Sequence, residues 1–210
     1  MAVMHFGENN TWININSDLI SEYSSIYDTY EIDDEMIEYA LDKNERAHME
    51  YNRRTKTLVV IYNVLNLSRE ENHYDTIPLT FIVRQNQIVT ISNGLNEYII
   101  DQIREELEEN MHWSVFNFLL HSLFAISENY FPVIEKLNKE QQKISKLLRK
   151  KTTKDNLFRL SDLEIEGMYL VSATKQNAVV LEQLKTQQAF KELDDSEREQ
   201  LEDNIIEANQ

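Results

Sequence analysis

Two sets of carboxylates in this 210-residue chain stand at a spacing that could do chemistry: Asp34, Glu38 and Asp42, and Glu199, Asp203 and Glu207. Steps of four place each trio along one face of a helix, where like charges cost a little stability unless a cation lies nearby. Oxygen donors of this kind suit a hard divalent ion such as Mg2+, which keeps much of its own water and needs only one or two carboxylates from either side of a cleft. The plainer reading is a pair of solvated acidic faces, because runs of charge usually mark exposure. Thiolate and disulfide chemistry are ruled out by the lack of cysteine. His5, His48, His73, His112 and His121 include no pair four apart that would build a zinc site, so they read as surface or packing residues. His121 is expected within helix packing, accepting a local hydrogen bond.

Other chemistries lack their signatures. Gly7, Gly94 and Gly167 are too scattered for a phosphate cradle, and there is no Gly-x-Ser-x-Gly elbow. No carboxylate pair lies beside an apolar run that would separate two pKa values, so no enzyme activity and no organic cofactor are expected. With 21 basic against 37 acidic residues the net charge is −16, which argues against nucleic acid or anionic lipid as the main partner. The basic turn from Arg149 to Lys154 reads as a solvated helix turn, with a phosphate or lipid contact as the rival.

The elements that must position these residues change character near Trp113. Residues 1–112 carry 8 basic and 21 acidic side chains, and residues 113–210 carry 13 and 16. In the first part, Trp12 to Ile15 alternates as a strand. Thr57 to Leu65 is nearly continuous in apolar residues, as for a strand buried on both faces. Leu79–Val83 and Ile88–Ile91 flank Arg84-Gln85-Asn86-Gln87 as a hairpin. Ser17 is expected to cap one helix and Asp33 another, whose Met36, Ile37, Ala40 and Leu41 share a face. Asn96 to Asn110 forms a further helix, with Ile99, Ile100, Ile103 and Leu107 inward. Alternating strands and helices imply a layered domain.

From Trp113 onward the pattern is helical. Phe116 to Leu148 reads as one long helix bent at Pro132, and Leu157 to Leu184 as a second, the two antiparallel about the basic turn. Asp194 and Glu197 form a capping box for a third helix, which carries no stop signal before Gln210 and so reads as cut short. No secretory leader is expected from the start Met1 to Gly7, and Trp113–Ile126, the most apolar window, is interrupted by Asn117, His121 and Ser122, too short to cross a bilayer. A soluble intracellular segment is the expectation. The fold class is α+β: a mixed β-sheet sandwiched by helices (1–112), a long antiparallel helical hairpin (113–193), and the truncated start of a long stalk helix (194–210).

The run Phe118 to Leu137, with its leucine-rich start, Tyr130-Phe131 pair and following Glu135-Lys136, resembles the corresponding helix of the CorA family of divalent-metal transporters. Trp12–Ile15 is similar to that family's first tryptophan strand, and Ile37–Leu65 to its helix-then-strand segment. The resemblance implies a cytoplasmic regulatory domain of a homopentameric transporter, carrying Mg2+, with Co2+, Ni2+ or Zn2+ as the other cations. It also implies two membrane helices and a Gly-Met-Asn pore mouth beyond this sequence, so contact with the membrane comes only through those missing C-terminal helices. The family holds a regulatory magnesium between subunits with two aspartates. One matches Tyr39, a departure, with its acidic neighbour at Glu38; the other matches Asp203. A phenol cannot replace a carboxylate at neutral pH. The metal ligands expected between subunits are therefore Asp203, Glu38, Asp42 and Glu199, with cation binding holding the pore closed. Two other readings remain: a stand-alone α/β interaction module with a helical arm, and the cytoplasmic domain of a zinc-transporting relative.

Overall fold

The computed structural model describes residues 1–21, 24–70, 73–187 and 193–209, and at 69, 70 and 73 the backbone alone. The expectation for His73 as a surface or packing side chain therefore lies outside the described residues, as does Gln210.

Six strands form one sheet: β1 (Ala2–Phe6), β2 (Asn10–Asn16), β3 (His48–Asn52), β4 (Thr57–Glu70), β5 (His73–Arg84) and β6 (Gln87–Ser92), in the order β1-β2-β6-β5-β4-β3. Only β2 and β6 pair in parallel, so the sheet is mixed. The β5–β6 hairpin turns through Gln85 and Asn86, with Arg84 opposite Gln87. Glycine is required at Gly7, in the turn from β1 to β2: its φ is +56°, and a Cβ there would stand 2.7 Å from Asn10 Nδ2 and 3.1 Å from the Trp113 carbonyl.

Alternation along the strands sorts the core onto two faces. Trp12, Leu58, Val60, Phe81 and Ile88 belong to a large cluster shared with α3 (Glu97–Glu109), α4 (Val115–Glu128), α5 (Tyr130–Lys150), α6 (Lys154–Thr186) and α7 (Asp195–Ala208). Their neighbours Ile13, Ile82 and Val89 belong to a small cluster covered by α1 (Ser25–Thr29) and α2 (Asp34–Leu41). The sheet is thus sandwiched by helices, and Leu58 to Leu65 is buried on both sides as its apolar run requires.

Two local expectations are corrected. Ser17 caps no helix: its N–H and its hydroxyl both donate to the Ser92 carbonyl, at 2.7 and 3.0 Å, and so bind it to the end of β6. The first helix starts instead after Ser24, whose hydroxyl accepts from Ile26 N–H. The helix through Phe116 is not continuous to Leu148 either. It breaks at Asn129, three residues before Pro132, whose missing N–H is harmless in the first turn of α5 and would have cost a hydrogen bond further inside. The Asn129 side chain secures the break by donating to the Ala125 carbonyl and to Gln102.

Helix side chains also complete hydrogen bonds that the sheet leaves open. β3 reaches only as far as Ile61 of β4. Beyond it, Asn177 of α6 accepts from Asn63 N–H and donates to Asn63 C=O, both at 2.9 Å, standing in for the missing strand. Tyr130 OH donates to the same carbonyl and Tyr98 OH to that of Leu65. On β5, Tyr74 N–H donates to Glu166, and Asn96 donates to the Pro78 carbonyl.

Candidate functional site

Asp33 accepts from Met36 N–H at 3.0 Å and so starts α2. Met36, Ile37 and Ala40 then turn toward the small core, which leaves Asp34, Glu38 and Asp42 exposed. Asp42 ends the helix and accepts from Asn44 N–H at 2.9 Å. Oxygens with this freedom can accept a hydrated cation from outside.

Tyr39 is held differently. Its hydroxyl donates to Glu35 at 3.0 Å, one helical turn back, and lies 3.4 Å from Glu50 on β3. The bond to Glu35 is the main reason its pKa is pushed up to about 12, with partial desolvation and the Glu50 charge adding to it. The phenol is therefore neutral and a donor, and it offers no anionic oxygen to a metal. The His48 ring meets it edge-on at 5.0 Å, and His48 in turn lies 3.5 Å from Glu45 and 4.0 Å from Glu50. The Glu35–Tyr39 spacing could have shown the helical half of this arrangement. Glu50 was hidden because β3 is a short edge strand without apolar alternation.

On α7 the capping box forms: Glu197 N–H donates to Asp194 and Asp194 N–H to Glu197. Glu197 also accepts from the Ser114 hydroxyl at the start of α4. Seven residues on, Asn204 donates to the Leu120 carbonyl at 2.7 Å, so α7 runs parallel to α4. Glu197, Leu201 and Asn204 are buried in this seam, and Glu199 and Asp203 are exposed on the opposite side. Glu207 is half-buried. Lys185 pairs with Glu202 at 3.2 Å, and among the described residues Glu199, Asp203 and Glu207 make no ion pair.

Within one chain the two stripes do not meet, because α2 covers the small-core face of the sheet and α7 the large-core face. Among the described residues no group of three or more His, Asp or Glu is gathered to hold a metal. A cation joining Glu38 or Asp42 to Glu199 or Asp203 would have to join two copies of the chain. His121 packs within the helices as expected, but by stacking on Trp113, with ring centroids 4.1 Å apart. Burial lowers its pKa.

A family model described as CorA-like Mg2+ transporter protein matches residues 7–210. Among solved structures, the complete CorA magnesium transporter from Methanocaldococcus jannaschii is similar with a TM-score of 0.81 and 17% identity, over 100% of this chain and 66% of that one. The soluble domain of CorA from the same organism gives 0.78 and 18%, over 96% and 80%. The ZntB cytoplasmic domain from Vibrio parahaemolyticus gives 0.69 and 10%, over 96% and 84%. At these identities the likeness is one of fold. No curated protein sequence matches the chain at a significant level. Among the described residues no helix is long and apolar enough to cross a membrane.

Proposed function

We propose, for a chain that belongs to the CorA-like Mg2+ transporter family, that it is the cytoplasmic cation-sensing part of a divalent metal transporter and acts by binding rather than by catalysis. In this reading Mg2+ is both the cargo of the whole protein and the regulator of this part, and the whole protein is a homopentamer in the cell membrane. The observation that carries it is the placement of two exposed acidic stripes on opposite faces of one chain, where only a neighbouring copy can bring them together. Cations shared between Glu38 or Asp42 of one copy and Glu199 or Asp203 of the next would hold copies in contact. Loss of the cations would let like charges separate them and free the pore. Tyr39, a neutral donor tied to Glu35, takes no part in ligation, so the ion would be held largely through its own water.

The test is a Mg2+ titration of the chain, followed by thermal unfolding and by light scattering. The expected result is a melting temperature and a mass that rise together with Mg2+, both lost in the Glu38→Ala/Asp203→Ala double variant. A response that the double variant leaves intact removes these positions, and no response at all removes the sensing role. The likeness to the ZntB cytoplasmic domain favours one second reading, a zinc-responsive relative; a response to Zn2+ at concentrations where Mg2+ gives none would select it.

A further inference from the structure

The strongest charge anomaly in the molecule is at the tip of the α5–α6 hairpin. Residues 141–154 contain six cations, Lys143, Lys146, Arg149, Lys150, Lys151 and Lys154, and no acid, in a chain whose net charge is −16. All six are exposed, and among the described residues none makes an ion pair, although Lys139 just before them pairs with Glu135 and Lys185 with Glu202. Large apolar side chains share the tip: Phe158 is 69% exposed, Leu157 48% and Leu147 39%. A turn that serves only solubility has no use for them. Cations and exposed apolar groups together suit a surface that is anionic outside and apolar a few ångströms in.

We propose that the tip of the α5–α6 hairpin docks on an anionic phospholipid bilayer, its cations on the headgroups and Phe158 and Leu157 in the headgroup–acyl boundary. The acidic body does not forbid this. The last hydrogen bond from α6 to the sheet on the tip side is made by Glu166, 12 residues from Lys154, which is about 18 Å of helix. That is about twice the screening length of ~8 Å at physiological ionic strength. Nearer acids, Glu140 on α5 and Asp155, Asp162 and Glu164 on α6, offset part of the charge, but residues 140–164 still carry seven cations against four acids, so the tip meets an anionic surface as a local cation. Nucleic acid fits less well, since it would engage the cations but leave the apolar side chains in water. A second basic cluster, Arg53, Arg54 and Lys56 at the β3–β4 turn, has no exposed large apolar neighbour and provides an internal control.

The experiment is flotation of the chain with vesicles of phosphatidylcholine alone and of phosphatidylcholine with about one third phosphatidylserine. Binding to the anionic vesicles only is expected, weakening as salt rises. Lys150→Glu/Lys151→Glu/Lys154→Glu is expected to weaken it at least about a hundredfold, taking about fivefold for each of the three lysines lost and nothing further for the acids gained. Phe158→Ser is expected to weaken it about tenfold, and Arg53→Glu/Arg54→Glu to leave it unchanged. Phe158→Trp, which keeps every charge, should shift its emission to the blue on anionic vesicles. Absence of binding, equal binding to neutral vesicles, equal sensitivity to the Arg53/Arg54 reversal, or binding of a single-stranded oligonucleotide without binding of vesicles would each overturn the proposal. None of these readouts depends on Mg2+, so this surface and the cation-sensing role can fail separately.

Discussion

The two faces of the sheet are covered by different means. On the large-core face, five helices bury a continuous apolar cluster, and their side chains also hydrogen-bond to strand backbone through Asn177, Tyr130, Tyr98 and Glu166. The small-core face carries two short helices, whose apolar side chains, Tyr27 on α1 and Met36, Ile37 and Ala40 on α2, pack against it. They are anchored from below by Arg84, whose guanidinium donates to the carbonyls of Tyr30 at 2.6 Å and Glu31 at 2.7 Å. Glu31 has a φ of +53°, a left-handed conformation that costs a non-glycine residue about 1–2 kcal/mol. The thin face is the lighter cover: the turn that leads into its acidic helix is held by this one guanidinium, and α2 itself rests on Met36, Ile37 and Ala40 and on the contact of Tyr39 with Glu50. Of the two helices proposed to meet a neighbouring copy, α2 is thus the more lightly attached, whereas α7 is tied to α4 through Glu197 and Asn204.

The largest effect that would sharpen this contrast is expected from Phe118→Ala. Phe118 packs edge-on to Phe6 at 5.5 Å and against Trp12 at 5.1 Å, and its removal should cost about 3–5 kcal/mol in urea unfolding. Asn177→Leu follows, at about 1–3 kcal/mol, because it leaves the Asn63 N–H buried without a partner. Arg84→Met should cost about 1–2 kcal/mol globally, while amide exchange quickens selectively across α1 and α2. Uniform exchange after that substitution, or a global loss equal to that of Asn177→Leu, would break the distinction between the faces.

The smallest effect concerns pH. Burial lowers the His121 pKa, so the unfolded chain takes up that proton first as pH falls. The stability due to neutral His121 is complete above its ordinary value near 6.5 and is lost as pH falls through the lower folded value. His121→Phe keeps a ring on Trp113 and should flatten the fall in melting temperature as pH drops below about 6.5. Glu106 on α3 runs the other way. Desolvation raises its pKa despite the hydrogen bond from Gln102, so its contribution is present below the ordinary carboxylate value and is lost as pH rises through the folded one. Glu106→Gln should therefore raise the melting temperature slightly at neutral pH.

Legibility in the sequence followed the same divide. The central strand at Thr57–Leu65 and the β5–β6 hairpin declare themselves as short unbroken apolar runs, and the helix from Glu97 because its burial repeats at the helical period. β1 and β3 do not, since edge strands such as His48–Asn52 bury little and keep mixed side chains. Ser17 misled because its competing partner, Ser92, is 75 positions away. The acidic stripes could be placed on helices from spacing alone. That they lie on opposite sides could not, because it depends on α2 packing against β4 and β5 and α7 packing against α4 and α6, contacts between segments distant in the chain.

The parallel pairing of β2 with β6 also sets an order of events in synthesis. Thr11 faces Gln87, 76 residues later, an interval of about 4–15 s at ~5–20 residues per second. Until then β2 has only the β1 hairpin beside it, and Trp12, Ile13 and Ile15 wait near the ribosome without their final neighbour. Asn10, Asn14 and Asn16, interleaved with them, interrupt what would otherwise be an adhesive strand. In the finished sheet Asn14 is then buried and accepts from Thr90 and Ser92 of the late-arriving β6. The same asparagine that lowers the risk of mispairing on the nascent chain becomes the polar latch by which the sheet closes.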